Sequence, residues 1–265
     1  MENQVPVTSM AGMLFSLIVS VGLPIVLCMV IRIRTKAKFS SFLIGCGTFF
    51  ISAMVLEQIL HVIVLNAAGD ILRGNIWIYG LYGGLAAAVF EETGRFLAMK
   101  YFMKRISGCE NALMYGAGHG GIEAALIVGL VSVNNLVTSF MINTGQINQV
   151  LSALDENTRN MTMQQISALW ELPGWQFYMA GVERILAVGL QIALSVLVYY
   201  AVKSGDKRYF MLALFCHFFV NFITVVAASF VSVAAVECLV AVMSAAVGGI
   251  AWKVSLNEKG AIERI

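Results

Sequence analysis

Long apolar runs separated by short polar segments form the main pattern of this chain. Each run exceeds the roughly 20 residues that an α-helix needs to cross about 30 Å of hydrocarbon. The pattern therefore predicts an all-α fold, a polytopic membrane helix bundle with about seven transmembrane helices. These spans are predicted at residues 10–33, 40–65, 76–99, 112–140, 176–202, 209–230 and 231–254.

The composition agrees with a multi-pass protein of a cell membrane. Hydrophobic residues make up 59% of the chain, charged residues only 12%, and the mean hydropathy is +0.83. A net charge of +2 is too small to indicate a nucleic-acid partner, so membrane lipids are the first partners we expect.

The positions of the basic residues predict the orientation of the bundle. Thirteen of the 17 lysines and arginines close or follow the first, third, fifth and last spans. Positively charged loops favour the cytoplasmic side. The N-terminus is therefore predicted outside and the C-terminus in the cytoplasm.

One polar connection is much longer than the others. Residues 143–175 lie on the predicted outer side, and their apolar positions have helical spacing. We expect one or two amphipathic helices there. With no repeat and no soluble segment, residues 1–265 are predicted to form a single domain.

Three charges interrupt the third apolar run. Glu91, Glu92 and Arg95 fall within five residues of one another, although a charge at the centre of a membrane helix costs roughly 3 kcal/mol. Arg95 is spaced to reach Glu91 at i,i+4 or Glu92 at i,i+3. Such a cluster indicates a functional site.

Two more spans carry a histidine at the same depth as Glu91. Glu91, His119 and His217 each lie eight or nine residues from the polar residue that closes their span, or about 12–13 Å into the membrane. Rare polar groups on three helices would not share one level by chance. The coincidence predicts one buried polar site.

Each histidine has a polar residue one helical turn further on. Asn221 follows His217 at i,i+4, so both side chains project from one face of the helix. Glu123 has the same spacing from His119, where it is expected to orient the imidazole or to line the cavity. These residues complete the predicted site.

Other features of the spans have structural interpretations. Glu57 and Arg184 lie in the outer halves of their spans and are predicted to form a structural ion pair. Gly80 and Gly84 are a small-xxx-small pair, expected to bring the third and fourth spans together.

The three polar groups also follow a known order of motifs. Glu91-Glu92 with a following arginine, Tyr115-Gly-Ala-Gly-His119 and His217-Phe-Phe-Val-Asn221 resemble the CAAX prenyl protease 2 and bacteriocin-processing superfamily of intramembrane proteases. The particular form looks like its bacterial YhfC-type branch. The resemblance covers a core at about residues 76–230.

The resemblance implies an intramembrane endopeptidase of a bacterial plasma membrane, acting without a cofactor on a membrane-associated peptide or protein. Glu91 would activate a water that His119 helps to hold, while His217 and Asn221 would donate to the oxyanion. Glu92 would act as a supporting residue paired with Arg95. This arginine comes one residue earlier than in the usual superfamily motif, which turns it by about 100° around the helix.

Three alternatives stay open. Zinc could bind at Glu91, His119 and His217, although the chain has no His-Glu-x-x-His motif. Buried glutamate, histidine and arginine also suit a proton-coupled transporter or channel, against which stands the lack of an internal repeat. A catalytically silent membrane scaffold is the third. The sequence carries no indication of oligomeric state.

Overall fold

In the computed structural model of the chain, residues 4–262 are described, with side chains as far as residue 256. All regular secondary structure in this part is helical. The α-helices are α1 (Val7–Thr35), α2 (Phe39–Phe49), α3 (Gln58–Arg73), α4 (Ile76–Leu97), α5 (Cys109–Ala124), α6 (Leu130–Asn143), α7 (Ile147–Ser152), α8 (Glu156–Glu171), α9 (Gly174–Ser204), α10 (Lys207–Ala227) and α11 (Val233–Ile262). Short π-helical stretches extend α2, α4 and α5 at Phe50–Glu57, Ala98–Phe102 and Ala125–Gly129.

Six of the helical segments in the described residues are long and apolar enough to cross a membrane. They are Val7–Thr35, Phe39–Arg73, Cys109–Asn143, Gly174–Ser204, Lys207–Ala227 and Val233–Leu256. The predicted all-α, multi-pass membrane fold is therefore confirmed. The predicted third span forms the 22-residue helix α4, which carries two glutamates and an arginine and is not among the six. A seventh crossing and the orientation of the bundle stay predictions.

The contacts of the chain divide it into two compact units. The first contains Met1–Leu23 and Ala124–Ile185, and the second contains Pro24–Glu123 and Leu186–Ile265. All of the predicted catalytic residues belong to the second unit. The single domain expected from the sequence stays a prediction.

The first unit contains the long polar connection, which forms α7 and α8. Its small apolar core joins Val5, Met13, Ile142 and Leu169. Asn143 ties the start of the chain to the end of α6, because its side chain accepts a hydrogen bond from the Val5 N–H and donates one to the Val5 carbonyl. Two helices thus lie where the sequence predicted one or two.

In the second unit, α4 packs closely against α10. A Cβ added at Gly84 would lie only 3.1 Å from the carbonyl oxygen of Phe218, so the backbones approach as small residues permit. Gly80 likewise faces Phe222 and Val226 of α10. The expected role of this pair in joining the third and fourth spans is therefore wrong: it contacts α10, because these glycines lie on that face of α4.

Polar side chains begin both α4 and α10. Asn75 accepts hydrogen bonds from the backbone N–H groups of Trp77 and Ile78, and Asp206 accepts one from that of Arg208. Such caps satisfy amide groups that the first helical turn leaves without partners. Hydrogen bonds from Arg208 hold the pKa of the Asp206 carboxyl below its usual value. These caps fix the residues at which α4 and α10 begin.

Candidate active site

The charged cluster of α4 lies on its buried face. Glu91 is 6% exposed, and Glu92 and Arg95 are fully buried, whereas Thr93 between them is exposed. Because side chains three and four residues apart share a face of an α-helix, the whole cluster points into the second unit. Each of these charges therefore depends on protein partners for its hydrogen bonds.

Glu91 has two imidazoles beside its carboxylate. The Nε2 atom of His119 lies 2.9 Å from Glu91 Oε2, and the Nε2 atom of His217 lies 4.0 Å from Glu91 Oε1. His119 is fully buried and His217 is 2% exposed. The structure thus brings together the three residues that the sequence placed at one depth.

Glu92 holds the second histidine from the other side. The Nδ1 atom of His217 lies 2.7 Å from Glu92 Oε1, and Arg95 Nη2 lies 3.5 Å from the same oxygen. An ionised Glu92 accepts a hydrogen bond from Nδ1–H, which orients the ring and turns Nε2 toward Glu91. Of the two partners that the sequence allowed for Arg95, the structure has Glu92.

Gln191 of α9 is a member of the site that sequence reasoning missed. Its backbone carbonyl oxygen accepts a hydrogen bond from Arg95 Nη1 at 3.2 Å, and its side-chain oxygen accepts another from Arg95 Nη2. Its side-chain amide nitrogen donates to Glu91 Oε2 at 3.0 Å and to Glu123 Oε2 at 2.7 Å. The available signal was an amide in the mostly apolar stretch between Arg184 and Lys203, but this residue carries no charge.

The two residues predicted one turn beyond the histidines have different places. Glu123 accepts a hydrogen bond from the Gln191 side-chain amide, which also donates to Glu91. Within the described chain the Nδ1 atom of His119 has no hydrogen-bond partner, so the expected contact that would orient this imidazole is not made at Nδ1. Asn221 is half-buried and lines a cavity of about 370 Å³.

The predicted structural ion pair involves one residue from each unit. Within the second unit, Glu57 is buried and lies 3.2 Å from Nε2 of His61. Within the first, Arg184 is hydrogen-bonded to its neighbour Glu183. The Glu57–Arg184 pair itself stays a prediction.

Zinc is the metal that Glu91, His119 and His217 would suit by their chemistry, since two histidines and a glutamate form a known catalytic set. Ligand atoms around a tetrahedral zinc lie roughly 3.4 Å apart, whereas the Glu91 oxygens lie 2.9 Å and 4.0 Å from the two imidazoles. A zinc-bound histidine also donates its other ring N–H to a partner, and Nδ1 of His119 has none among the described residues.

No group of three or more histidine, cysteine, aspartate or glutamate side chains in the described part of the chain is placed to hold a metal ion. Arg95 adds a buried positive charge beside Glu92, which opposes the binding of a second cation. As they lie in this structure, the donor atoms do not fit a bound metal.

Comparisons with known proteins agree with the motifs. Residues 19–243 match the family described as YhfC intramembrane metalloprotease. The chain is also 38% identical over 228 residues to a protein of Bacillus subtilis (strain 168) described as an uncharacterized membrane protein, YhfC. That alignment covers 84% of this chain and 87% of the relative.

No solved structure matches the chain. The extent of both sequence matches is nevertheless sufficient to assign the family, and it confirms the resemblance expected from the three motifs. The chain belongs to the YhfC family of intramembrane proteases.

Proposed function

We propose that this protein is an intramembrane endopeptidase in which Glu91 activates the attacking water. The main support for the proposal is the geometry of the buried Glu91 carboxylate. One of its oxygens is held by hydrogen bonds, and the other faces an imidazole. Oε2 accepts from Gln191 and lies 2.9 Å from His119. Oε1 faces Nε2 of His217 across 4.0 Å, a separation that a bridging water can span.

Glu91 is the general base of the proposed reaction. It takes a proton from the water as the water oxygen bonds to the carbonyl carbon of the substrate peptide, and the carbonyl electron pair moves to its oxygen. When this oxyanion collapses, the carbon–nitrogen bond breaks and the proton passes from Glu91 to the leaving amine. His119 and Gln191 serve to aim the carboxylate.

The oxyanion needs donors that are already in place. Glu92 and Arg95 orient His217 through Nδ1, which leaves Nε2 directed toward the space beside Glu91. With Nδ1–H donated to Glu92, the proposed donors to the oxyanion are Nε2–H of a doubly protonated His217 and the side-chain amide of Asn221, one helical turn further along α10. Donors fixed by packing need little rearrangement as the charge develops.

The family name implies a metal, so the role of metal is the first alternative. In that version Glu91, His119 and His217 would hold zinc, and Nε2 of His217 would carry a lone pair instead of a proton. We favour the version without metal because the distances among these donor atoms and the lack of a partner at Nδ1 of His119 suit it better.

Replacing the base tests the mechanism. The purified full-length chain would be incubated in detergent with a mixed decapeptide library, with products identified by mass spectrometry. We expect Glu91→Gln to lower cleavage at least about 100-fold, which is the typical contribution of a general base. Glu156→Gln, at an exposed position of α8, is the matched control and should cleave at the wild-type rate. Full activity of Glu91→Gln would overturn the mechanism.

Chelation separates the two versions of the site. Cleavage that persists after EDTA treatment and dialysis supports the water activated by Glu91 alone. Loss of cleavage that is restored by zinc would establish the metal version. Proton flux through liposomes that contain the protein, with no peptide product, would favour the transporter instead.

A further inference from the structure

The cavity beside Asn221 is lined by polar side chains from three helices. It measures about 370 Å³ and lies among α3, α4 and α10. Its polar lining residues are Gln58, His61, Tyr79, Tyr82, Asn221 and Thr224. The remaining walls are apolar or glycine, a combination that is typical of ligand-binding cavities.

This cavity lies on one side of the charged cluster. Its lining residues on α4 and α10 come from the first half of α4 and the second half of α10, on the side of the turn at Gly74 that joins α3 to α4. Lys100, which follows α4, and Lys207, which begins α10, lie at the opposite ends of these two helices. Asn221 is one turn from His217, so the cavity extends from the level of the site toward the Gly74 end.

A chain of three polar side chains ends at the cavity wall, which His61 and Tyr82 line and Glu57 does not. Glu57 lies 3.2 Å from Nε2 of His61, and Nδ1 of His61 lies 2.7 Å from the hydroxyl oxygen of Tyr82. Glu57 is buried, whereas His61 and Tyr82 are half-buried. The chain therefore runs from the buried interior to the cavity.

This arrangement leaves the Tyr82 hydroxyl with unused hydrogen-bonding capacity. His61 uses both ring nitrogens, one toward Glu57 and one toward Tyr82. If Tyr82 donates to His61, its oxygen can still accept; if it accepts from His61, its proton can still be donated. In either case the hydroxyl is fixed in position and has capacity for a hydrogen bond in the cavity.

We propose that this cavity holds the substrate peptide next to the cleaved bond, with Tyr82 hydrogen-bonded to the peptide backbone and with His61 and Glu57 as positioning residues. The proposal rests on the proposed peptidase function, since Asn221 belongs both to the cavity and to the proposed oxyanion site. The apolar walls, formed by Leu65 and Val225, favour an apolar side chain on the bound residue.

Substrate kinetics test the positioning role. The probe is one decapeptide of the library that the wild type cleaves. For this peptide Tyr82→Phe should raise KM about tenfold, the value of one lost hydrogen bond, while kcat changes less than about threefold. His61→Leu should have the same effect, and His61→Gln, which keeps a donor and an acceptor, should restore most of the affinity. A purely structural role would instead lower the melting temperature without this separation of KM from kcat.

Filling the cavity tests its occupancy. Thr224→Trp should lower kcat/KM at least about 100-fold, because an indole occupies the space of the peptide. Val62→Trp is the matched control: Val62 is 63% exposed on the same helix as His61 and does not line the cavity. It should cleave as the wild type does.

A binding measurement makes the outcome independent of turnover. A benzophenone-bearing decapeptide would be photo-crosslinked to Glu91→Gln, and the labelled segments located by mass spectrometry. We expect label on α3, α4 or α10 at the cavity, and its loss in a Glu91→Gln, Thr224→Trp double variant. Wild-type kinetics in both Tyr82→Phe and Thr224→Trp, with Glu91→Gln inactive, would overturn this inference and leave the peptidase standing.

Two further results separate the proposals. Label in the cavity without cleavage by the wild type would support the peptide site and overturn the peptidase function. Neither label nor cleavage would overturn both.

Discussion

The two halves of α4 differ in how their polar side chains are satisfied. In the second half, Glu91, Glu92 and Arg95 are at most 6% exposed and bond to groups on other helices. In the first half, Tyr82 is half-buried at a cavity and is held by a single histidine. One helix therefore carries a closed charged region and an open neutral one.

This difference separates two tasks that an intramembrane hydrolase must perform. Charged groups for bond cleavage need fixed positions and little water, because electrostatic interactions are stronger in a dry site. Groups that bind a peptide need unused hydrogen-bonding capacity. The proposed base and the proposed peptide site thus lie on one rigid element, which fixes the distance between them.

The largest expected effect comes from breaking the closed region. Arg95→Met should lower the free energy of unfolding by about 3–5 kcal/mol, since it leaves Glu92 buried without its guanidinium partner. Thermal unfolding in detergent would measure this loss. Arg73→Met, at a position with 63% side-chain exposure, is the control and should change little. A Glu92→Gln, Arg95→Met double variant should regain part of the stability; equal stability of Arg95→Met and the wild type would contradict the account.

Loss of the amide that joins Glu91 to Arg95 should have an intermediate effect. Gln191→Leu removes hydrogen bonds to both charged groups, so it should cost about 1–3 kcal/mol. Cleavage should fall about tenfold, because Glu91 Oε2 loses one of the groups that aim it. Gln149→Leu at an exposed position provides the control. A Gln191→Leu variant as stable and as active as the wild type would contradict this role and show that Gln191 only fills space.

The smallest effects are expected at the predicted Glu57–Arg184 pair. Glu57→Gln keeps an oxygen for His61, so it and Arg184→Met should each lower the melting temperature by about 2–4 °C, which corresponds to about 1 kcal/mol, with little change in cleavage rate. A double-variant cycle tests the pair directly. Additive effects would contradict it, because groups in contact show a coupling energy. A larger effect on rate than on stability would place these residues in the site.

Much of the site could be predicted because membrane helices convert sequence position into depth. At 1.5 Å per residue, counting from the end of a span placed Glu91, His119 and His217 at one level. In the structure His119 lies within hydrogen-bonding distance of Glu91, and His217 lies 4.0 Å from it. The i,i+3 spacing likewise allowed the contact between Glu92 and Arg95, which the structure contains. These relations hold within one helix or along a common axis, so local geometry is sufficient.

Relations across helices could not be predicted in the same way. Gln191 carries no charge, and only the packing of α9 beside α4 reveals that it bonds to Glu91 and Arg95. Gly80 and Gly84 indicated a close contact between helices, but a small-residue motif does not identify the partner helix. In the structure the partner is α10.

The sequence by itself determined the membrane class, the helical architecture and the depth of the charged groups, because hydropathy and helix periodicity depend on local order alone. The tertiary structure decided which face of each helix meets which neighbour. It thereby directed His217 toward both glutamates, inserted Gln191 between Glu91 and Arg95, and left the His61–Tyr82 pair at a cavity. The physical reason is that the rotation of a helix about its axis is set by the packing of all its neighbours together, which no single segment encodes.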